Sequence, residues 1–163
     1  MTNPAPLHPV DPERDLTISR LIRAPRASVW RAWADPRRLE QWWLPAPATC
    51  RVEELELWPG GAFETRMSDD GREFGPHISG CILVAEPEER LVFTNALTGG
   101  WRPAQGFMTA VMTFEAVPEG TIYSARVLHG TRVDRDLHAE AGFAEGWGTV
   151  LGQLAEQLEG RTD

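Results

Sequence analysis

The side chains that could carry chemistry gather where a strand gives way to a helix. His129 closes the alternating run Thr121 to His129, and His138, Glu140 and Glu145 follow in a helical run. The helix begins only a few residues after the strand ends, so His129 and Glu140 are expected near one end of any groove between the two. On a helical wheel Glu140 falls within the apolar stripe, close in azimuth to Trp147. A carboxylate there binds the polar head of a ligand, or acts as a general base with a raised pKa. The alternative is a carboxylate in the first helical turns that complements the helix dipole and reaches solvent. Other chemistries find less support. Cys50, His77, Cys81, His129 and His138 are scattered and form no recognised ligand pair, so no metal is expected. No serine sits in a Gly-x-Ser-x-Gly elbow. Gly60-Gly61 precedes a strand, not a helix, and reads as a hairpin turn instead of a phosphate cradle. No cofactor is expected.

The element that must position these groups is a helix read from Leu137 to Leu158. Leu137, Ala141, Ala144, Trp147, Leu151, Leu154 and Leu158 recur at spacings of three and four and form one stripe. Asp134 or Asp136 is available as N-cap, and Gly160 as the stop. Gly142, Gly146, Gly148 and Gly152 lie inside this run, each costing about 1 kcal/mol relative to alanine. Gly148 and Gly152 flank the stripe on the wheel, with Gly142 and Gly146 on the far side. Such a helix needs close backbone approach or open space beside its apolar face.

Before it, Leu16 to Arg23 reads as a first strand, broken by Ala24-Pro25. Val29, Trp30 and Trp33 mark a short helix, and Asp35-Pro36 starts a second that carries Leu39, Trp42 and Trp43 and ends by Pro45. The period then changes to two. Val52–Leu57, Ala62–Met67, Ile78–Ala85, Leu91–Ala96, Phe107–Val117 and Thr121–His129 read as strands, with Pro59-Gly60-Gly61, Asp69-Asp70-Gly71 and Pro118-Glu119-Gly120 among the turns. The loop Thr98 to Gly106 holds an exposed Trp101. This order makes the fold α+β: helices segregated to one face of a curved antiparallel sheet of six or seven strands. A single helix does not fill a wide concave face, so a groove remains. With Arg126 facing water, Tyr123, Ala125, Val127 and His129 turn inward. Met112, Phe114, Phe63 and Met67 join them as adaptable apolar walls, or else as ordinary filled core.

The composition bounds the partners. The chain has 163 residues and a formal charge of −8, and all 16 basic residues are arginine. A net-negative chain without a basic run is a poor binder of nucleic acid or anionic membrane. Residues 1–13 carry four prolines and are expected as a loose arm before one domain spanning 14–160. Two cysteines do not make a disulfide scaffold, and no run has the character of a signal peptide or a membrane span. A reduced, cytoplasmic protein is the expectation. Strand edges near the two short helices are open to pairing between two subunits, although nothing in the sequence demands a homodimer.

Several of these motifs together resemble the START-like superfamily. The opening strand with Ala24-Pro25, Val29-Trp30, Trp33, Asp35-Pro36, Leu39 and Trp42-Trp43 is similar to that superfamily's N-terminal portion. Pro59-Gly60-Gly61-Ala62-Phe63, Gly80, Pro87 to Thr94, and Gly146-Trp147 with Val150-Leu151 and Leu154 resemble the branch named after the activator of heat-shock protein 90 ATPase. The resemblance covers about Leu16 to Leu158. Trp58 stands where many relatives carry arginine, so no role of that arginine transfers. The resemblance implies a helix-grip fold with a cavity between the sheet and one long C-terminal helix. It implies no single reaction, because the superfamily includes lipid carriers, hormone receptors, cyclases and co-chaperone domains. Three readings stand. The first is a binding module for a small hydrophobic or amphipathic molecule, walled by Trp43, Phe63, Met67, Met112, Phe114, Tyr123, Trp147 and Leu151, with His129 and Glu140 at the polar end. The second is a cyclase- or hydrolase-type enzyme using His129 or Glu140 for acid–base chemistry. The third is a stress-response or chaperone-interaction protein that works through exposed Trp42 or Trp101.

Overall fold

A computed structural model describes residues 6–160. The chain runs β1 (Asp15–Ile22), α1 (Arg26–Ala34), α2 (Pro36–Leu39), β2 (Thr49–Leu55), β3 (Ala62–Ser68), β4 (Gly75–Glu86), β5 (Arg90–Thr94), a small hairpin of β6 (Leu97–Thr98) and β7 (Arg102–Pro103), β8 (Met108–Val117), β9 (Gly120–His129), α3 (Arg132–Glu140) and α4 (Phe143–Glu159). Seven strands form one antiparallel sheet in the order β1-β9-β8-β5-β4-β3-β2. The first and second strands are therefore its two edges, and α1 and α2 carry the chain from one to the other. Register shifts at Val52/Glu54, Thr65/Arg66 and Ile82/Val84 bend three successive strand pairs. Bulges increase local twist, and these curl the sheet toward its helical face.

Strand parity follows the alternation of the sequence. In β9 Tyr123, Ala125, Val127 and His129 are buried, whereas Ser124 and Arg126 lie on the more open face. Met112 and Phe114 on β8, and Phe63 and Phe93 on β3 and β5, share the buried face. Against them pack Trp33, 4.7 Å from Trp43, 5.5 Å from Trp42 and 6.0 Å from Phe63 between ring centroids. Each such aromatic pair contributes about 0.5–1.5 kcal/mol beyond area burial. The second short helix ends earlier than the sequence suggests. Asp35 caps it by accepting from Arg37 N–H, but α2 stops at Leu39, and Trp42 and Trp43 sit in the turn that follows. Of the sequence-predicted N-terminal arm, residues 1–5 lie outside the described residues. His8 and Pro12 give their carbonyls to Arg126 and Arg135.

The C-terminal helix differs most from expectation. It is two helices. Thr131, not Asp134 or Asp136, is the first N-cap, its hydroxyl accepting from Asp134 N–H at 3.1 Å. The helix breaks at Gly142, whose φ of 105° and ψ of 32° are left-handed. A left-handed residue resets the azimuth of all that follows, so the stripe drawn through Leu137, Ala141 and Ala144 does not exist. Leu137 is 58% exposed, and Ala141 and Ala144 are exposed too. The buried stripe belongs to α4 alone: Phe143, Val150, Leu151, Leu154 and Ala155, with Trp147 half-buried beside them. Gly160 ends α4 as expected.

Candidate functional site

A pocket of about 370 Å³ opens between the helices and one end of the sheet. Its volume lies within the range of small-molecule sites, about 300–1,000 Å³. Trp43, Leu44 and Pro45 from the link after α2 form one wall, and Phe143, Gly146, Trp147 and Val150 of α4 another. Ile78, Phe93 and Met108 form the sheet side, with Phe107, His77, Asn95 and His138 around them. Trp43 and Trp147 meet edge to face at 5.5 Å, and Phe143 lies 6.2 Å from Trp147. No residue lining the pocket is Asp, Glu or Arg.

Of the residues expected as a lining, Trp43 and Trp147 stand on the pocket wall. Phe63, Met112, Phe114, Tyr123 and Leu151 are packed in the filled core and do not line it. Tyr123 is fully buried, and its hydroxyl accepts the indole N–H of Trp33 at 2.9 Å. Met67 is half-buried on β3 and is not part of the wall. Parity sorts residues to the correct face, but whether that face meets another side chain or a hollow depends on what the helices bring opposite it. Glu140 ends α3 and is exposed, so the expectation of a carboxylate inside the stripe fails with the stripe itself. Trp42, one of the two tryptophans whose exposure would favour the interaction reading, is completely buried and donates its indole N–H to Ala32 O at 3.0 Å, whereas Trp101 is 52% exposed.

His129 is buried behind the pocket. Its Nδ1 is 2.8 Å from Arg14 O, and its Nε2 is 2.8 Å from His138 Nδ1. Both nitrogens are thus engaged, so His129 reaches the pocket only through His138. The rings of Phe107 and Phe143 stand edge-on to His138 at 5.2 and 5.5 Å. Burial, then the neighbouring His129, hold His138 below the usual histidine range. Burial does the same to His77, whose Nδ1 pairs with Thr65 Oγ1 at 2.9 Å. Burial, and then Glu40, push the Cys50 thiol up to about 12, which leaves it unreactive at neutral pH. Among the described residues no group of three or more His, Cys, Asp or Glu is placed to hold a metal ion. No described helix is long and apolar enough to cross a membrane.

Two features of the site escape a reading of the sequence. The indole N–H of Trp43 is buried with no hydrogen-bond partner among the described residues, whereas those of Trp33 and Trp42 are both satisfied. The second is Gln153 of α4. Its amide donates to Trp42 O at 3.0 Å and Leu44 O at 2.8 Å, and its carbonyl accepts from Ala46 N–H at 2.7 Å. Gln157, one turn on, donates to Gln41 O at 2.9 Å. The helix thereby clamps the irregular segment that presents Trp43. A signal was present: glutamines one helical turn apart beside an apolar stripe, and a proline-rich link whose backbone groups need partners.

A curled antiparallel sheet, gripped by a C-terminal helix across an aromatic pocket, defines a START-like helix-grip domain. The chain belongs to the family described as activator of Hsp90 ATPase homolog 1-like protein, whose model matches residues 23–159. A crystal structure of a protein from Nitrosomonas europaea is 42% identical with a TM-score of 0.84, the match covering 92% of this chain and 97% of that one. A protein from Chromobacterium violaceum is similar at 23% identity and a TM-score of 0.69, over 91% and 99% of the two chains. An AHSA1-like protein from Aeromonas hydrophila matches at 21% identity and a TM-score of 0.64, over 89% and 92%. These last two likenesses concern the fold alone. No protein of curated function matches the chain.

Proposed function

We propose that this domain binds a small, uncharged, largely aromatic or aliphatic molecule in the pocket between α4 and the sheet, with Trp43, Phe143 and Trp147 as its principal contacts. The observation that carries this reading is the pocket itself, about 370 Å³ bordered by Trp43, Phe93, Phe107, Phe143 and Trp147, with Trp43 and Trp147 edge to face at 5.5 Å. The lack of any charged wall residue favours a neutral molecule over an ionised one, because a charge taken from water needs a countercharge. Acid–base catalysis by His129 or Glu140 receives no geometric support, since one is enclosed and the other faces solvent.

The test is native mass spectrometry of gently purified protein, joined to titration with Prodan, a neutral naphthalene ketone whose fluorescence reports an apolar site. A retained small molecule, or one Prodan per chain with affinity weakened by Trp43→Phe, is the expected result. Wild-type protein that binds no Prodan and carries no adduct would remove the reading. The same spectra give the subunit count and so decide between monomer and homodimer.

A further inference from the structure

The two imidazoles at the end of the pocket fix one another's protons. A backbone carbonyl can only accept, so His129 Nδ1, 2.8 Å from Arg14 O, carries a hydrogen. In the neutral ring His129 Nε2 is then a bare acceptor, and His138 Nδ1, 2.8 Å away, must donate to it. This leaves His138 Nε2 as a bare lone pair with no hydrogen-bond partner among the described residues, on a side chain that lines the pocket. The tautomer of the pocket histidine is thus set by the backbone carbonyl just before edge strand β1, through a second ring. The other titratable group on the wall is His77, and its Nδ1 is already paired with Thr65. Toward His138 from the neighbouring elements come His129 of β9, Phe107 before β8 and Phe143 of α4, none of them a carboxylate.

We propose that His138 Nε2 is the specificity-determining acceptor of this pocket and selects ligands that present an uncharged O–H or N–H donor, an alcohol in preference to its ether or to a carboxylate. The inference rests on the pocket being a ligand site, and it names the chemical class that site takes. An ether covers the lone pair and displaces its water without matching it. A carboxylate brings two acceptors against an acceptor. Protonation of the pair puts a hydrogen on His138 Nε2 and removes the acceptor, so the preference holds while both rings are neutral.

Three probes of one aromatic frame separate the possibilities: naphthalenemethanol, its methyl ether, and naphthoate, titrated calorimetrically at pH 8. The alcohol is expected to bind about tenfold or more tightly than the ether, the ratio a matched buried hydrogen bond gives, with naphthoate weakest. His138→Leu should erase the difference between alcohol and ether while both still bind. Long-range proton–nitrogen NMR of the wild-type histidine rings should show His138 protonated at Nδ1 alone, a measurement that stands even if the variant does not fold. Equal binding of alcohol and ether, tighter binding of naphthoate, or a proton on Nε2 at pH 8 would overturn the selectivity while leaving the pocket reading intact. Folded wild-type protein that binds none of the three would overturn both.

Discussion

Gly146 gives the sharpest separation between a pocket kept open and a core imperfectly filled. It sits inside α4 and on the pocket wall, and a Cβ built there meets nothing within 4 Å. A glycine in a helix interior costs about 0.8–1.0 kcal/mol relative to alanine. Because the added methyl clashes with nothing, nearly all of that gain is recoverable. Gly146→Ala should therefore raise unfolding free energy by about 0.5–1 kcal/mol, which in a domain of this size lifts Tm by about 1–4 °C. Gly146→Leu keeps most of the helix gain but projects an isobutyl group into the space, so Prodan affinity should fall at least about tenfold, the equivalent of 1.4 kcal/mol. Urea titrations with an unchanged m-value give the first quantity and fluorescence titration the second. Stability and binding are expected to move in opposite directions. A destabilised Gly146→Ala would mean the space is not open. A stable Gly146→Leu that binds Prodan as well as wild type would mean the ligand, if any, lies elsewhere.

The remaining predictions concern what surrounds the pocket. Tyr123→Phe leaves the buried Trp33 indole N–H without its acceptor and should cost about 1–3 kcal/mol in urea unfolding, with Prodan affinity unchanged; altered affinity at constant stability would place Tyr123 on the pocket after all. Gln153→Ala strands two carbonyls and one N–H of the link that carries Trp43, so stability should fall by about 1–3 kcal/mol and Prodan affinity should fall with it. A loss of stability without weaker binding would show that the clamp does not position Trp43. His77 and His138 both have folded pKa values below the ordinary 6.5, so between those values the unfolded chain binds more protons and stability rises with pH. Folding should accordingly weaken as pH drops below about 6.5, and the double change His77→Gln with His138→Gln should flatten that slope in urea titrations.

How far the sequence reaches depends on the range of the interaction that decides each feature. Alternation in Thr121–His129 depends on neighbouring residues and on one buried face, and β9 follows it residue by residue. The turns at Pro59-Gly60-Gly61 and Pro118-Glu119-Gly120 are short-range chemistry as well, and strands flank both. Gly60 takes φ of 89°, and the Trp101 indole lies directly over it, so this half-exposed tryptophan covers a hairpin turn. The helical run after His129 misleads because a wheel assumes one unbroken axis. A single left-handed glycine at Gly142 removes that assumption, and the positions of Glu140, Leu137 and Gly146 all change with it.

The sequence by itself determined the α+β class, an antiparallel sheet of six or seven strands and the inward faces of β8 and β9, because periodicity and turn residues act within a few positions. Only the tertiary structure decided which inward residues meet one another and which border a hollow. Tyr123 finds Trp33 ninety residues away, while Trp43 finds no partner for its indole N–H. The sequence also could not show that the Arg14 carbonyl, His129 and His138 form one hydrogen-bonded chain. Pairings of that kind arise when α1, α2 and α4 close over the curled sheet, and no local pattern encodes the outcome of that closure.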